Sequence, residues 1–183
     1  MVVSKSSNMG LNVFTKILIS VFLLASLAVF QTSTAQARPA FSAIAVDART
    51  GKIIYANNAD AKRYPASLTK IMTLYLVFED LKAGRITMNT KLRMSRYAAS
   101  RPPSKLGIRA GRTIRVRDAI LALVTKSAND VATAIAENLE GSETRFARRM
   151  TTTARRIGMT RTTFRNASGL PDRRQRTTAR DMA

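Results

Sequence analysis

The chain alternates between apolar runs and polar breaks, and the period of each run predicts an element. Residues 41–47 (Phe-Ser-Ala-Ile-Ala-Val-Asp) and 52–56 (Lys-Ile-Ile-Tyr-Ala) have the apolar, β-compatible character of strands. Ala48-Arg49-Thr50-Gly51 lies between them as a turn, so the pair predicts a β-hairpin. A lone hairpin is marginal in water and must join a larger sheet or pack on a helix. Residues 57–66 are a polar loop closed by Pro65. From Ser67 to about Ala83 the pattern turns helical, with Ile71, Leu74, Tyr75 and Phe78 at the spacing of one face. The run 71–78 is nearly continuous in apolar residues, which predicts a central helix buried on most sides. Gly84 is a natural residue to end it.

Residues 86–95 mix apolar and polar positions and read as short strands or loop. Pro102 and Pro103 exclude a helix interior there. A glycine-bounded loop from Gly107 to Gly111 leads into a short strand over 113–116. Residues 117–124 predict an apolar helix, 125–130 a polar knot, and 131–139 a second helix ending near Gly141. Ser142 is placed to cap a third helix over 143–157, stopped by Gly158. Residues 159–176 are loop-like, and Thr178-Ala179-Arg180-Asp181 has the form of a capping box. A capping box announces a helix, and only Met182 and Ala183 follow it.

The first 37 residues carry a different signal. Lys5 and Lys16 precede an uncharged, apolar run of 14 residues, 17–30, and Ala35-Gln36-Ala37 has the small-x-small form of a cleavage site. This is the pattern of a secretory signal peptide cut after Ala37, leaving residues 38–183 as the mature domain. The apolar run falls short of the roughly 20 residues that span a bilayer. The formal net charge is +20, and removal of Lys5 and Lys16 leaves +18. Such a charge favours anionic surroundings, with peripheral association to an anionic envelope or membrane. Export and the absence of a basic patch interleaved with aromatics argue against nucleic acid. The chain has no cysteine and no histidine, so disulfides are excluded and neither a zinc centre nor another cofactor is expected.

The candidate chemistry centres on Pro65-Ala66-Ser67-Leu68-Thr69-Lys70. Residues three apart on a helix are neighbours, so Lys70 can sit beside Ser67. A serine hydroxyl needs a base to act as a nucleophile. Without histidine a Ser-His-Asp triad is excluded, whereas a lysine whose pKa is lowered by burial can serve. A serine at a helix start can also present its backbone N–H to an oxyanion. The competing reading is a plain N-cap. A second pair, Ser127 and Asn129, falls in the polar knot, where it can be catalytic or simply cap the helices.

Ser-x-x-Lys at 67–70, Ser-x-Asn at 127–129, the absence of histidine and the export signal together resemble the penicillin-recognising serine peptidases. Residues 65–73, Lys126-Ser127-Ala128-Asn129-Asp130 and Asn166-Ala167-Ser168-Gly169-Leu170-Pro171 are similar to the D-alanyl-D-alanine carboxypeptidases in particular. The resemblance implies an α/β fold of the α+β type, an antiparallel sheet packed with a helical cluster, as in β-lactamases and penicillin-binding proteins. It implies Ser67 as the nucleophile acylated by a peptidoglycan stem peptide ending in D-Ala-D-Ala, Lys70 as its base, and Ser127 as a proton relay to the leaving D-alanine. Asn129 would bind the substrate backbone and help hold Lys70, and β-lactams would acylate the same serine. Lys126 is then only a neighbour of the motif, and Asp118 and Asp130 are structural.

The family's third motif, Lys-Thr-Gly, does not occur in the 183 residues. The resemblance implies that it lies on a strand downstream, so the C-terminal strands are expected to be missing and turnover by this chain to be poor. Two alternatives stand beside the carboxypeptidase. One is an inactive fragment or pseudoenzyme that only binds the envelope through its charge. The other is a serine β-lactamase, for which Glu137, Glu140 and Glu143 are the acids in the right region, none of them in a Glu-x-x-x-Asn loop.

Overall fold

The computed structural model describes residues 12–14 and 41–183, and the fold lies in the second of these ranges. The signal peptide expected over residues 1–37 falls outside the described residues, apart from 12–14. Strands β1 (Ala43–Val46) and β2 (Ile53–Asn57) form the expected antiparallel hairpin, with a bulge between Ala45 and Val46. The Asp47 carboxylate closes its turn by accepting bonds from the backbone N–H groups of Arg49 and Thr50 and from the Thr50 hydroxyl. A 3-10 turn over Ala66–Leu68 leads into α1 (Thr69–Lys82). Strand β3 (Lys91–Arg93) and helix α2 (Arg96–Ala99) follow, then strand β4 (Thr113–Arg115) and helices α3 (Val116–Lys126), α4 (Asn129–Glu140), α5 (Glu143–Arg156) and α6 (Ala179–Met182).

The architecture is α+β, with antiparallel strands and a helical cluster. The described strands form two separate two-stranded antiparallel ribbons, β1–β2 and β3–β4. The central helix is α4, not the Ser67 helix. Every residue from Asn129 to Ala136 is buried, and α4 packs against α1, α2, α3, α5 and β3. Its run of Ala132, Ala134 and Ala136 lets neighbours approach closely, and the larger Val131 and Ile135 meet Leu76, Phe146 and Met150 in one core.

Helix α1 is oriented differently from the expectation. Its inward face carries Thr69, Lys70, Met72, Thr73, Leu76, Val77 and Asp80. Of the stripe Ile71, Leu74, Tyr75 and Phe78, only Leu74 packs partly against the core, and the other three are exposed on a helix expected to be buried on most sides. The inward face tolerates polar residues because each is bonded. Thr73 Oγ donates to the Ala167 carbonyl at 2.7 Å, Thr69 Oγ accepts from Gln175 at 3.4 Å, and Asp80 pairs with Arg85 and Arg149. A buried polar group with its partners in place avoids the desolvation cost that would otherwise expel it.

Other boundaries moved less. The polar knot expected over 125–130 shrinks to Ser127 and Ala128, because α3 runs to Lys126 and α4 begins at Asn129. Ser142 and Thr178 cap α5 and α6 as expected, accepting from the N–H groups of Arg145 and Asp181. Helix α2 had no counterpart in the sequence reading; four residues capped by Ser95 are too short for a periodic signal.

Candidate active site

Ser67 is exposed on the 3-10 turn, one turn before the inward face of α1 begins. The preceding Ala66 has φ of 46°, a left-handed conformation that an L-residue adopts at a cost of roughly 1–2 kcal/mol. That strain persists because the turn is clamped from outside. Gly169 lies so close that a Cβ there would overlap the Ala66 carbonyl, and its own φ of 88° also demands glycine.

Gly169 belongs to a turn built by Asn166. The Asn166 Oδ1 accepts from the N–H of Gly169 at 2.7 Å and of Ser168 at 3.2 Å, and its Nδ2 donates to the Leu170 carbonyl. Gln175 Oε1 holds the backbone at Arg165 and Asn166, and Glu143 Oε1 accepts from the Ala167 N–H. The effect is to aim the Ser168 carbonyl inward.

That carbonyl meets Lys70. The Lys70 Nζ donates to Ser168 O at 2.6 Å and to Asn129 Oδ1 at 2.8 Å. Only 4 % of the Lys70 residue is exposed, and among the described residues no carboxylate pairs with it. Burial disfavours the ammonium form, and the Lys70 pKa is lowered to about 8. A group near neutrality can pass a proton in both directions at physiological pH.

Ser127 ends α3 in a left-handed conformation (φ 54°, ψ 40°), two residues before Asn129. The Asn129 side chain donates to the Pro102 carbonyl at 3.0 Å, and its backbone N–H donates to Ser104 O at 2.7 Å. Asp130 is fully buried and accepts from the N–H groups of Leu106, Gly107 and Val131. It ties the 102–107 loop to the start of α4, the structural role expected of it. Asp118 is exposed beside Arg117, at 3.5 Å.

Lys70 and Asn129 are therefore in direct contact, and Ser67 and Ser127 flank them along the chain. Neither serine hydroxyl makes a hydrogen bond among the described residues, to Lys70 or to any other group. The Ser168 carbonyl, Asn166, Gly169 and Gln175 were given no site role from sequence. The Asn-Ala-Ser-Gly-Leu-Pro stretch carries part of the family resemblance, but its contacts with Ala66 and Lys70 cross about a hundred residues of chain. The acids weighed for a β-lactamase are engaged elsewhere. Glu137 accepts from Ser95 and Glu140 pairs with Arg149. Glu143 accepts from Tyr97, Thr133 and Ala167.

An α+β fold with a buried lysine beside a serine-bearing turn is the arrangement that the resemblance to the penicillin-recognising serine peptidases implies. Residues 29–183 match the D-alanyl-D-alanine carboxypeptidase family, and the chain belongs to it. It is 37% identical over 147 residues to the D-alanyl-D-alanine carboxypeptidase DacF of Bacillus subtilis, covering 80% of this chain and 38% of that protein. The crystal structure of the D-alanyl-D-alanine carboxypeptidase DacD from Francisella tularensis superposes with a TM-score of 0.76 at 42% identity, over 78% of this chain and 34% of that one. Penicillin-binding protein D2 from Listeria monocytogenes, solved in an ampicillin-bound form, gives a TM-score of 0.63 at 32% identity, over 77% of this chain and 57% of that one. The chain thus spans about two fifths of the length of the curated relatives it matches.

Proposed function

We propose that the chain carries the nucleophile and base of a serine-type D-Ala-D-Ala carboxypeptidase acting on peptidoglycan stem peptides. The observation that carries this reading is Lys70, buried, with no carboxylate partner among the described residues, and bonded to Asn129 and Ser168. In the proposed reaction Lys70, as the neutral amine, takes the Ser67 hydroxyl proton. The Ser67 oxygen bonds to the carbonyl carbon of the penultimate D-alanine, with the Ser67 N–H as one oxyanion donor. The tetrahedral adduct collapses by breaking the C–N bond. A proton relayed through Ser127 from Lys70 goes to the departing D-alanine amine. Water then adds to the ester, and the bond to Ser67 breaks. Asn129 uses its carbonyl to hold Lys70 and one amide hydrogen on Pro102, leaving one hydrogen for the substrate backbone.

A β-lactam offers the same serine an acyl carbon, and its strained ring makes acylation less demanding than peptide cleavage. Acylation is the step supported by the residues present. The test is intact mass after incubation with ampicillin, beside Ser67→Ala and Lys70→Ala. A single adduct on the parent, absent from Ser67→Ala and much slower in Lys70→Ala, is the expected result. Labelling that survives Ser67→Ala overturns the assignment.

We also propose that the protein is exported, its leader cut after Ala37, and that its positive charge keeps it near an anionic envelope. The support is the pattern of Lys5, Lys16, the apolar run and Ala35-Gln36-Ala37. N-terminal sequencing of protein from the extracytoplasmic fraction should begin at Arg38; a start at Met1 would sink this.

A further inference from the structure

The β3–β4 ribbon turns a basic face outward. Leu92 and Ile114 point into the core, and Lys91 and Arg93 on β3 and Arg115 on β4 are exposed. The register sets Lys91 directly opposite Arg115. Like charges facing each other across a ribbon are destabilising. The same two side chains line a cleft of about 820 Å³ together with Arg109, Arg112 and Asp118, and Ile114 contributes to its wall.

Some charges elsewhere among the described residues are matched. Arg149 meets Asp80 and Glu140, Arg156 meets Glu79, and Arg180 meets Asp60. Lys91, Arg109, Arg112 and Arg115 make no ion pair or side-chain hydrogen bond among the described residues. Asp118, the single acid of the cleft, lies beside Arg117 instead. The cleft is built on bonded backbone. Arg112 O accepts from the Met94 N–H and Gly111 N–H donates to Met94 O, each at 2.8 Å, while Asp130 anchors the loop at Leu106 and Gly107. Four cations without an ion pair among the described residues thus surround one concavity that holds a single acid, Asp118, itself beside Arg117.

We propose that this cleft is a binding site for a phosphate-bearing anion, either a phospholipid headgroup or a soluble glycerol phosphate. Guanidinium forks match phosphate oxygens in pairs, and three of them with one ammonium suit a phosphate better than a single carboxylate. An occupant would neutralise the Lys91–Arg115 repulsion, so binding stabilises the ribbon as well as the ligand. The site is independent of the acyl-enzyme reading.

The test titrates the full chain, labelled with 15N, with sn-glycerol 3-phosphate at low salt. In parallel the chain is sedimented with phosphatidylcholine vesicles containing or lacking phosphatidylglycerol. Two triple variants are compared, Lys91→Gln/Arg112→Gln/Arg115→Gln in the cleft and Lys62→Gln/Arg148→Gln/Arg173→Gln outside it. Each removes three positive charges from the chain's +20. The expected result is saturable binding in at least one arm, weakened about tenfold or more by the cleft triple and about twofold or less by the control triple. Cleft-dependent binding of the vesicles alone identifies a lipid headgroup as the source. Cleft-dependent binding of glycerol 3-phosphate identifies the free phosphate. Equal weakening by both triples, or no saturable binding in either arm, overturns the site. The cleft triple should melt no lower than the parent, because it removes a repulsion and touches only exposed side chains.

Discussion

The two faces of α1 show what decides burial in this molecule. The inward face holds a lysine, two threonines and an aspartate among Met72, Leu76 and Val77, and the outward face shows Ile71, Tyr75 and Phe78 to solvent. By hydrophobicity alone neither face has the clear claim on the core. The inward polar groups stay buried because α4, α5 and the 166–178 loop supply a partner for each: Asn129, Ser168, Ala167, Gln175, Arg149. The outward stripe has no such claim on its surroundings. Exposed apolar residues also mark β2, where Ile53, Ile54 and Tyr55 are open to solvent. Ser67 sits where the two regions meet, raised on a strained turn above a face that is rigidly bonded.

The contrast makes graded predictions. The largest effect should come from Asp80→Ala, which strips Arg149 and Arg85 of their shared carboxylate. Breaking such a buried pair from one side should cost about 4 kcal/mol, read from urea unfolding. A loss near zero would mean that the inward ion cluster is ornamental. Burial alone would raise the Asp80 pKa, but hydrogen bonds and charge from Arg149 and Arg85 more than offset this and hold it below the usual 3.8. Its contribution is therefore complete above about pH 4 and is lost as pH falls through the lowered value.

Next comes the apolar part of the same face. Leu76 is fully buried, and Leu76→Ala should lower stability by about 3 kcal/mol. Gly169→Ala should cost roughly 2 kcal/mol, since the new methyl meets the Ala66 carbonyl and the residue must keep a positive φ. It should also slow Ser67 acylation more than its stability loss explains. A variant with normal acylation would show that the turn needs no clamp. The smallest effect belongs to the outward stripe. Ile71→Ser should change stability by less than about 0.5 kcal/mol, as at other exposed positions. A loss comparable to that of Leu76→Ala would erase the distinction between the two faces.

Much of this was legible in the sequence where a signal is local. The β1–β2 hairpin, the Ser142 cap and the stop at Gly158 are set by residues within one turn of each other. Ser67 and Lys70, three apart, and Ser127 and Asn129, two apart, could be picked out by spacing and by family resemblance. The orientation of α1 could not, because a nearly continuous apolar run has no unique face, and the decisive partners lie far along the chain. The same limit hid the role of the 166–169 turn. Lys70 meets Asn129 across 59 positions and Ser168 across 98. Periodicity also could not say that β3–β4 would stand apart from β1–β2, since pairing depends on register between distant segments.

The central claim is that Lys70, lowered to a pKa of about 8 by burial, activates Ser67. The most direct test is the rate of ampicillin acylation as a function of pH, measured by intact mass with Ser67→Ala as the blank. A neutral amine is required, so the rate should rise along a single ionisation with its midpoint near pH 8 and level off above it. A flat profile, a midpoint near the ordinary lysine value of 10.5, or no Ser67-dependent adduct at any pH would contradict the account.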